Sequence, residues 1–206
     1  MKKLLAVLLV WMMTVSCLPF ALGEDAVSSA TLTVSRLPEI QPREGAHVLV
    51  VFFSTDDTIR AAAAIAADAL EADLFEIVPE TPYTREDLNY SSNSSRSTKE
   101  QRDSASRPAV AGLPENLAQY DVILLGYPIW WGLAPKILYT FVESVDLSGK
   151  TVIPFCTSAS SGVGSSAKNL QKLTDETVTW RDAARLGNRS DADAIRAWAA
   201  SLGIAP

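Results

Sequence analysis

From His47 onward, apolar runs alternate with polar turns and helix-forming stretches. His47 to Phe53 is rich in Val and Phe and predicts a strand. Ser54 to Thr58 is a polar turn, and Ile59 to Leu70 is so rich in alanine that it predicts a helix. Leu74 to Val78 predicts a second short strand, ended by Pro79. Strand, turn, helix and strand in this order form a βαβ unit, whose two strands run parallel. Val122 to Leu125 is a continuous apolar run without polar alternation, which suits a strand buried on both faces. It is closed by Gly126 and broken at Pro128, then followed by Trp130, Trp131 and Gly132, with Pro135 opening a helix over Lys136 to Val145. Thr151 to Cys156 is a further strand, Ser165 to Leu173 a helix and Val178 to Trp180 a short edge strand. Asp191 to Leu202 closes the chain as an amphipathic helix with Ile195, Trp198 and Leu202 on one face. Five strands alternating with helices predict an α/β three-layer sandwich around a doubly wound parallel sheet.

Two stretches fall outside this alternation. Residues 79–112 form a long polar insertion, nearly all Ser, Asn and charge between Ser91 and Ser106. Lys99 to Arg102 could supply one or two helical turns, and a loop of this length is usually functional or disordered. At the other end, Met1-Lys2-Lys3 is a positive head before the apolar Leu4 to Val15, which is shorter than the ~20 residues of a spanning helix. Ala21 and Gly23 place small residues before a cut at Glu24, so residues 1–23 are expected to be a secretory signal peptide. A retained membrane anchor and a lipoprotein anchored at Cys17 are the alternatives. Residues 24–45 are expected to be a tether and 46–206 the folded domain.

Removing residues 1–23 takes away Lys2 and Lys3. Lys+Arg falls from 18 to 16 against 24 Asp+Glu, so the mature net charge is −8. Such acidity argues against nucleic acid or an anionic membrane surface as partner. Only Cys156 survives cleavage, so no internal disulfide can form, and its place at the end of an apolar run implies an inert buried thiol. His47 has no partners for a metal site or a triad, and neither a metal ligand set nor a catalytic side chain is assigned.

Three polar loops follow buried strands: Ser54–Thr58, Tyr127–Gly132 and Thr157–Gly164. In a parallel sheet the ends of those strands share one edge, where open α/β sheets bind ligands. The first loop precedes a helix N-terminus, which suits a phosphate, and Ser54, Thr55 and Thr58 add hydroxyl donors. The second supplies Trp130 and Trp131 to stack on a flat ring; two neighbouring indoles cannot share one core, so at least one should reach the surface. The small residues of the third let backbone amides approach a polar ring edge. Phosphate at one end and a planar heterocycle at the other describe flavin mononucleotide (FMN).

At these residues the chain resembles the flavodoxin-like family, especially its exported bacterial branch. The resemblance is carried by Phe52-Phe53-Ser54, Glu76 to Tyr83, Arg107-Pro108, Tyr120 to Ile123, Gly126-Tyr127-Pro128-Ile129-Trp130-Trp131-Gly132, Thr140 to Glu143 and Pro154 to Ser158, in family order. It implies FMN binding and electron transfer, commonly to quinone-like or other small acceptors, in a secreted or extracytoplasmic setting. It places Ser54, Thr55 and Thr58 at the phosphate, Pro128, Ile129, Trp130, Trp131 and Gly132 along the isoalloxazine, and Thr157, Ser158 and Ser161 at its edge.

The phosphate loop departs from the family's Ser-x-Thr-Gly-Asn-Thr. It is one residue shorter, with Asp56-Asp57 in place of Gly-Asn. The two acids would either face a phosphate or turn away and cap the following helix. An FMN-dependent oxidoreductase, a one-electron carrier and a cofactor-free binding module all stand open at this point.

Overall fold

The computed structural model describes residues 45–158, 161–187 and 191–204. The expected leader with Cys17, and residues 24–44 of the expected tether, lie outside them. Six strands form one sheet: β1 (Val48–Phe52), β2 (Asp73–Glu76), β3 (Val122–Pro128), β4 (Thr151–Thr157), β5 (Thr179–Trp180) and β6 (Ala184–Leu186). The order is β2-β1-β3-β4, with β5 and β6 both against the outer flank of β4, and every pairing is parallel. Between and after the strands run α1 (Asp57–Ala69), α2 (Arg96–Arg102), α3 (Lys136–Ser144), α4 (Ser166–Gln171) and α5 (Ala192–Ser201).

The apolar runs are where they should be for a sheet covered on both faces. All of β1 and Val122 to Tyr127 of β3 are buried. Alternate side chains feed two cores. Leu49, Val51, Ile123 and Leu125 pack toward the α3 face, with Ile137, Leu138 and Phe141 of that helix. Val50, Phe52, Leu124 and Phe155 pack on the other side, with Ile59 of α1 and Ile195 of α5. Each fully buried Leu, Ile or Phe contributes about 1.5–3 kcal/mol relative to exposure. Helix α1 meets the sheet through Ala62, Ala63, Ala66 and Ala67, so the alanines that make it helical also form its buried face.

Two expectations are corrected. Strand β3 does not stop before Gly126 but runs on to Pro128, with Gly126 paired between Phe52 and Phe155. Proline is tolerated at that end, and the ladder continues where Ile129 N–H donates to the Thr157 carbonyl at 3.1 Å. The single expected edge strand near Trp180 is two short strands in succession, β5 against the start of β4 and β6 against its end.

Residues 79–112, read as a long polar insertion, are packed against the domain, and the helical turns expected at Lys99 to Arg102 are the second half of α2. The segment folds back beside β2, with Pro79 and Val110 forming an antiparallel bridge. Helix α2 then buries Ser97, Thr98 and Gln101. Ser97 Oγ donates to the Asp87 carbonyl at 2.6 Å, and Ser95 Oγ to Thr98 Oγ1 at 2.8 Å. Arg96 lies over the Tyr83 ring at 4.0 Å and bonds Glu100 at 2.6 Å, which also accepts from the Tyr83 hydroxyl. Burial, and then the Glu100 contact, push the Tyr83 phenol far up.

The end of this segment is tied to α3 by Arg107, whose guanidinium makes a two-pronged pair with Glu143 at 2.5 and 2.8 Å. The hydrogen bonds from Arg107 hold the Glu143 carboxyl below the usual carboxylate range. A depressed carboxylate adds stability above its unfolded pKa of about 4.3, and that stability is lost as pH falls through the folded value. Both side chains are part-exposed, at 30% and 38%, so screening limits the effect. Glu143→Gln should therefore cost below about 1 kcal/mol at pH 7. In urea denaturation the gap from wild type should narrow as pH is lowered below about 4.3. A gap that stayed constant with pH would remove the ion pair as its cause.

Candidate functional site

Parallel pairing and the shared register bring the ends of β1, β3 and β4 to one edge, since Phe52, Gly126 and Phe155 stand side by side across the three strands. A cavity of about 580 Å³ opens there. It is lined by Thr55, Thr58, Pro128, Ile129, Trp130, Trp131, Thr157, Ser158 and Ser161, all expected from the sequence. Asp56, Leu88 and Tyr90 line it as well. Ser54 and Gly132 do not. Ser54 Oγ donates to the Asp56 carbonyl and accepts from Asp56 N–H at 3.2 Å, so its hydroxyl serves its own loop.

Gly132 has a backbone role. Trp130 and Leu133 exchange two backbone hydrogen bonds of 2.9 Å, and the two residues between them have φ of 49° and 75°. Two successive positive φ values are the signature of a type I′ turn, for which glycine at the second position suits. The tryptophan at the first position takes a conformation that costs an L-residue about 1–2 kcal/mol. The turn also sorts the two indoles. Trp130, before the bend, is 2% exposed and packs edge-on against Phe53 at 5.7 Å and Tyr83 at 5.3 Å. Trp131, at the tip, is 38% exposed and stacks on Tyr90 with centroids 4.3 Å apart. Trp130 therefore reaches the cavity from the core, and the exposed stacking face belongs to Trp131. At that spacing no third ring fits between Trp131 and Tyr90.

The packed insertion holds this loop in place. Gln101 Nε2 donates to the Trp130 carbonyl at 2.8 Å and the Ala134 carbonyl at 3.2 Å, closing the base of the turn. The third loop approaches as closely as backbone allows. A Cβ on Gly164, whose φ is +53°, would sit 2.6 Å from the Gly132 carbonyl oxygen. Ser158 Oγ accepts from Ser161 N–H at 2.9 Å, and the Ser158 carbonyl accepts from Arg185 at 3.0 Å.

At the opposite end, Asp56 settles the question left open by the pair of acids. It is the N-cap of α1, with extended φ −144°, and its carboxylate accepts from Thr58 N–H at 2.8 Å. Asp57 begins the helix and is exposed. Tyr90, which lines the same cavity as Asp56, has its phenol pushed up to about 12, by burial first and then by the Asp56 charge. Cys156 sits beneath the third loop, fully buried, its thiol raised by burial to about 11 despite the nearby Arg185. The burial expected of it is what the structure shows.

Leu88 and Tyr90 were missed because they come from the polar insertion, where only an aromatic beside Asn89 hinted at a structured position. Among the described residues, none of the hydroxyls lining the cavity is hydrogen-bonded to a base. The edge offers a slot for a flat ring bounded by an indole and small side chains. Its other end offers hydroxyls and the Asp56 carboxylate, which takes the Thr58 amide.

The comparisons with known proteins match this geometry. A family model described as Flavodoxin matches residues 47–202. No curated protein matches the chain. Among solved structures, two proteins provisionally described as flavoproteins are similar. One is from Bacteroides eggerthii, at 43% identity and a TM-score of 0.71, over 77% of this chain and 99% of that one. The other is from Bacteroides uniformis, at 41% identity and a TM-score of 0.71, over 75% and 98%. A flavoprotein of Lactobacillus acidophilus, solved in complex with FMN, shares the fold at 18% identity and a TM-score of 0.58, over 68% and 93%.

Proposed function

Because the chain belongs to the flavodoxin family, we propose that the cavity at the carboxyl edge of its sheet binds FMN and that the protein is exported and redox-active. It acts as an oxidoreductase or electron carrier toward quinone-like or other small acceptors. The observation that carries this reading is the convergence of the Pro128–Trp131 turn with Thr157, Ser158 and Ser161 around one cavity. Pro128, Ile129 and Trp131 would flank the ring, Thr157 and Ser158 would meet its edge, and Thr55 and Thr58 would reach its tail. Bound there, FMN would supply the capacity to take up and pass on electrons. The protein's own part is to place the ring beside the exposed Trp131 and Tyr90 and to exclude water beneath it with the buried Trp130 and Phe53 and the part-buried Tyr83. Export rests on the positive head, the short apolar run and the small residues before Glu24.

The fit is uneven. The ring end suits the flavin, whereas at the helix end that would receive the phosphate the Asp56 carboxylate takes the Thr58 amide. That observation favours the second reading, a binding module without cofactor. One titration separates the two. FMN added to the purified domain should quench tryptophan fluorescence with a midpoint in the micromolar range, a binding free energy of about 7–8 kcal/mol. No quenching up to about 100 µM would overturn the flavin reading. With flavin bound, oxidation of a reduced nicotinamide in the presence of a quinone would mark an oxidoreductase, and its absence a carrier.

A further inference from the structure

We infer that this site recognises flavin through its ring and ribityl hydroxyls and draws no net affinity from the phosphate, so that it takes riboflavin as readily as FMN. The inference rests on the flavin reading above and concerns the tail end of the same cavity. A helix N-terminus attracts phosphate through free N–H groups and the positive end of its dipole. Here two of the amides are already taken, and a carboxylate stands among the rest. The Thr58 N–H is taken by the Asp56 carboxylate at 2.8 Å, the Asp56 N–H by Ser54 Oγ at 3.2 Å, and the Ser54 hydroxyl by the Asp56 carbonyl.

The same carboxylate lines the cavity, with the Asp57 carboxylate next in sequence and exposed. A phosphate dianion placed there meets one or two like charges at a distance where each pair is repulsive. No cation among the described lining residues offsets them. Arg85 lines the adjoining cavity and stands there beside Glu86. Arg185 belongs to the other end, bonded to the Ser158 carbonyl. Asp56 and Tyr90 line the same cavity, and the Asp56 charge adds to the burial that raises the Tyr90 phenol. What remains for a tail is Thr55, Thr58 and a carboxylate. Hydroxyls and an acceptor of this kind pair well with a neutral polyol, whose O–H groups can donate to Asp56.

The test is a pair of fluorescence titrations of the wild-type domain, with FMN and with riboflavin, each at low and at high NaCl. The two dissociation constants should agree within about threefold. Raising salt from about 20 mM to about 500 mM should tighten FMN, by screening the repulsion, and leave riboflavin unchanged. Asp56→Asn keeps a capping side chain and removes the charge. It should tighten FMN by about tenfold and shift riboflavin by less than about twofold. FMN binding more than about tenfold tighter than riboflavin in the wild type, or weakening with salt, would overturn the inference while leaving the flavin reading intact. Binding of neither compound would overturn the flavin reading, and this inference with it.

Discussion

Trp130→Ala is expected to remove about 3–5 kcal/mol of stability, a large share of the ~5–15 kcal/mol of an ordinary domain. The side chain is 2% exposed and is held edge-on between Phe53 and Tyr83. Its removal leaves a void where β1, the insertion and the Trp loop meet, and two of the three walls are rings that cannot collapse into it. Trp131→Ala, one residue on, should cost below about 1 kcal/mol, because it loses only a part-exposed stack on Tyr90. Its effect belongs to binding instead: FMN affinity should fall about three- to tenfold with the lost ring contact. Urea unfolding and flavin titration of the two variants should thus give opposite rankings. If Trp130→Ala loses less than about 1.5 kcal/mol, the buried aromatic cluster is not the foundation of this loop.

The second large effect is at Gly126. Its Cβ, were one present, would lie 2.3, 2.7 and 2.9 Å from three atoms of the Phe155 ring. That ring is fully buried and has Trp198 behind it at 5.4 Å, so it has nowhere to retreat. Alanine in a strand ordinarily gains slightly over glycine by restricting the unfolded chain. Here the overlap decides the sign, and Gly126→Ala should cost about 2–3 kcal/mol, with Gly126→Val at or above that range. In a Phe155→Leu background the same Gly126→Ala change should become nearly neutral. The double-mutant cycle should then show a coupling of about 1–3 kcal/mol. Additive effects would mean that Phe155 is not what excludes the methyl group.

Gly126 also shows what a reading of the chain alone can and cannot see. As punctuation it ends a strand; in the fold it gives a neighbouring ring a flat place to lie, a relation between residues twenty-nine apart that no local pattern carries. The apolar runs were legible because both faces of a central parallel strand are covered, so burial leaves an uninterrupted trace. Helix α2 was only half legible. Its buried side is Ser97, Thr98 and Gln101, and polar residues buried by hydrogen bonding leave no hydrophobic period to detect. Strand β6 has three residues, one of them Arg185, too few for any alternation to register. The site was legible in the same measure as the strands. Loops that follow central strands were found, and Leu88 and Tyr90, brought from the insertion, were not. At Asp56 the sequence posed two orientations and left both open. The choice depends on whether its carboxylate reaches the Thr58 amide, which is a matter of one backbone conformation.

The outermost strands are short. Strand β2 has four residues, bounded by Asp73 and Glu76 and followed by Pro79, while β5 has two and β6 three. A ladder that brief, with acids at its ends and a proline beyond, gives a second molecule little to zip onto. Concentrated solutions of the domain should accordingly resist fibril growth from either flank, even though its central strands, if ever freed from their neighbours, have the uncharged β-branched composition from which amyloid is built.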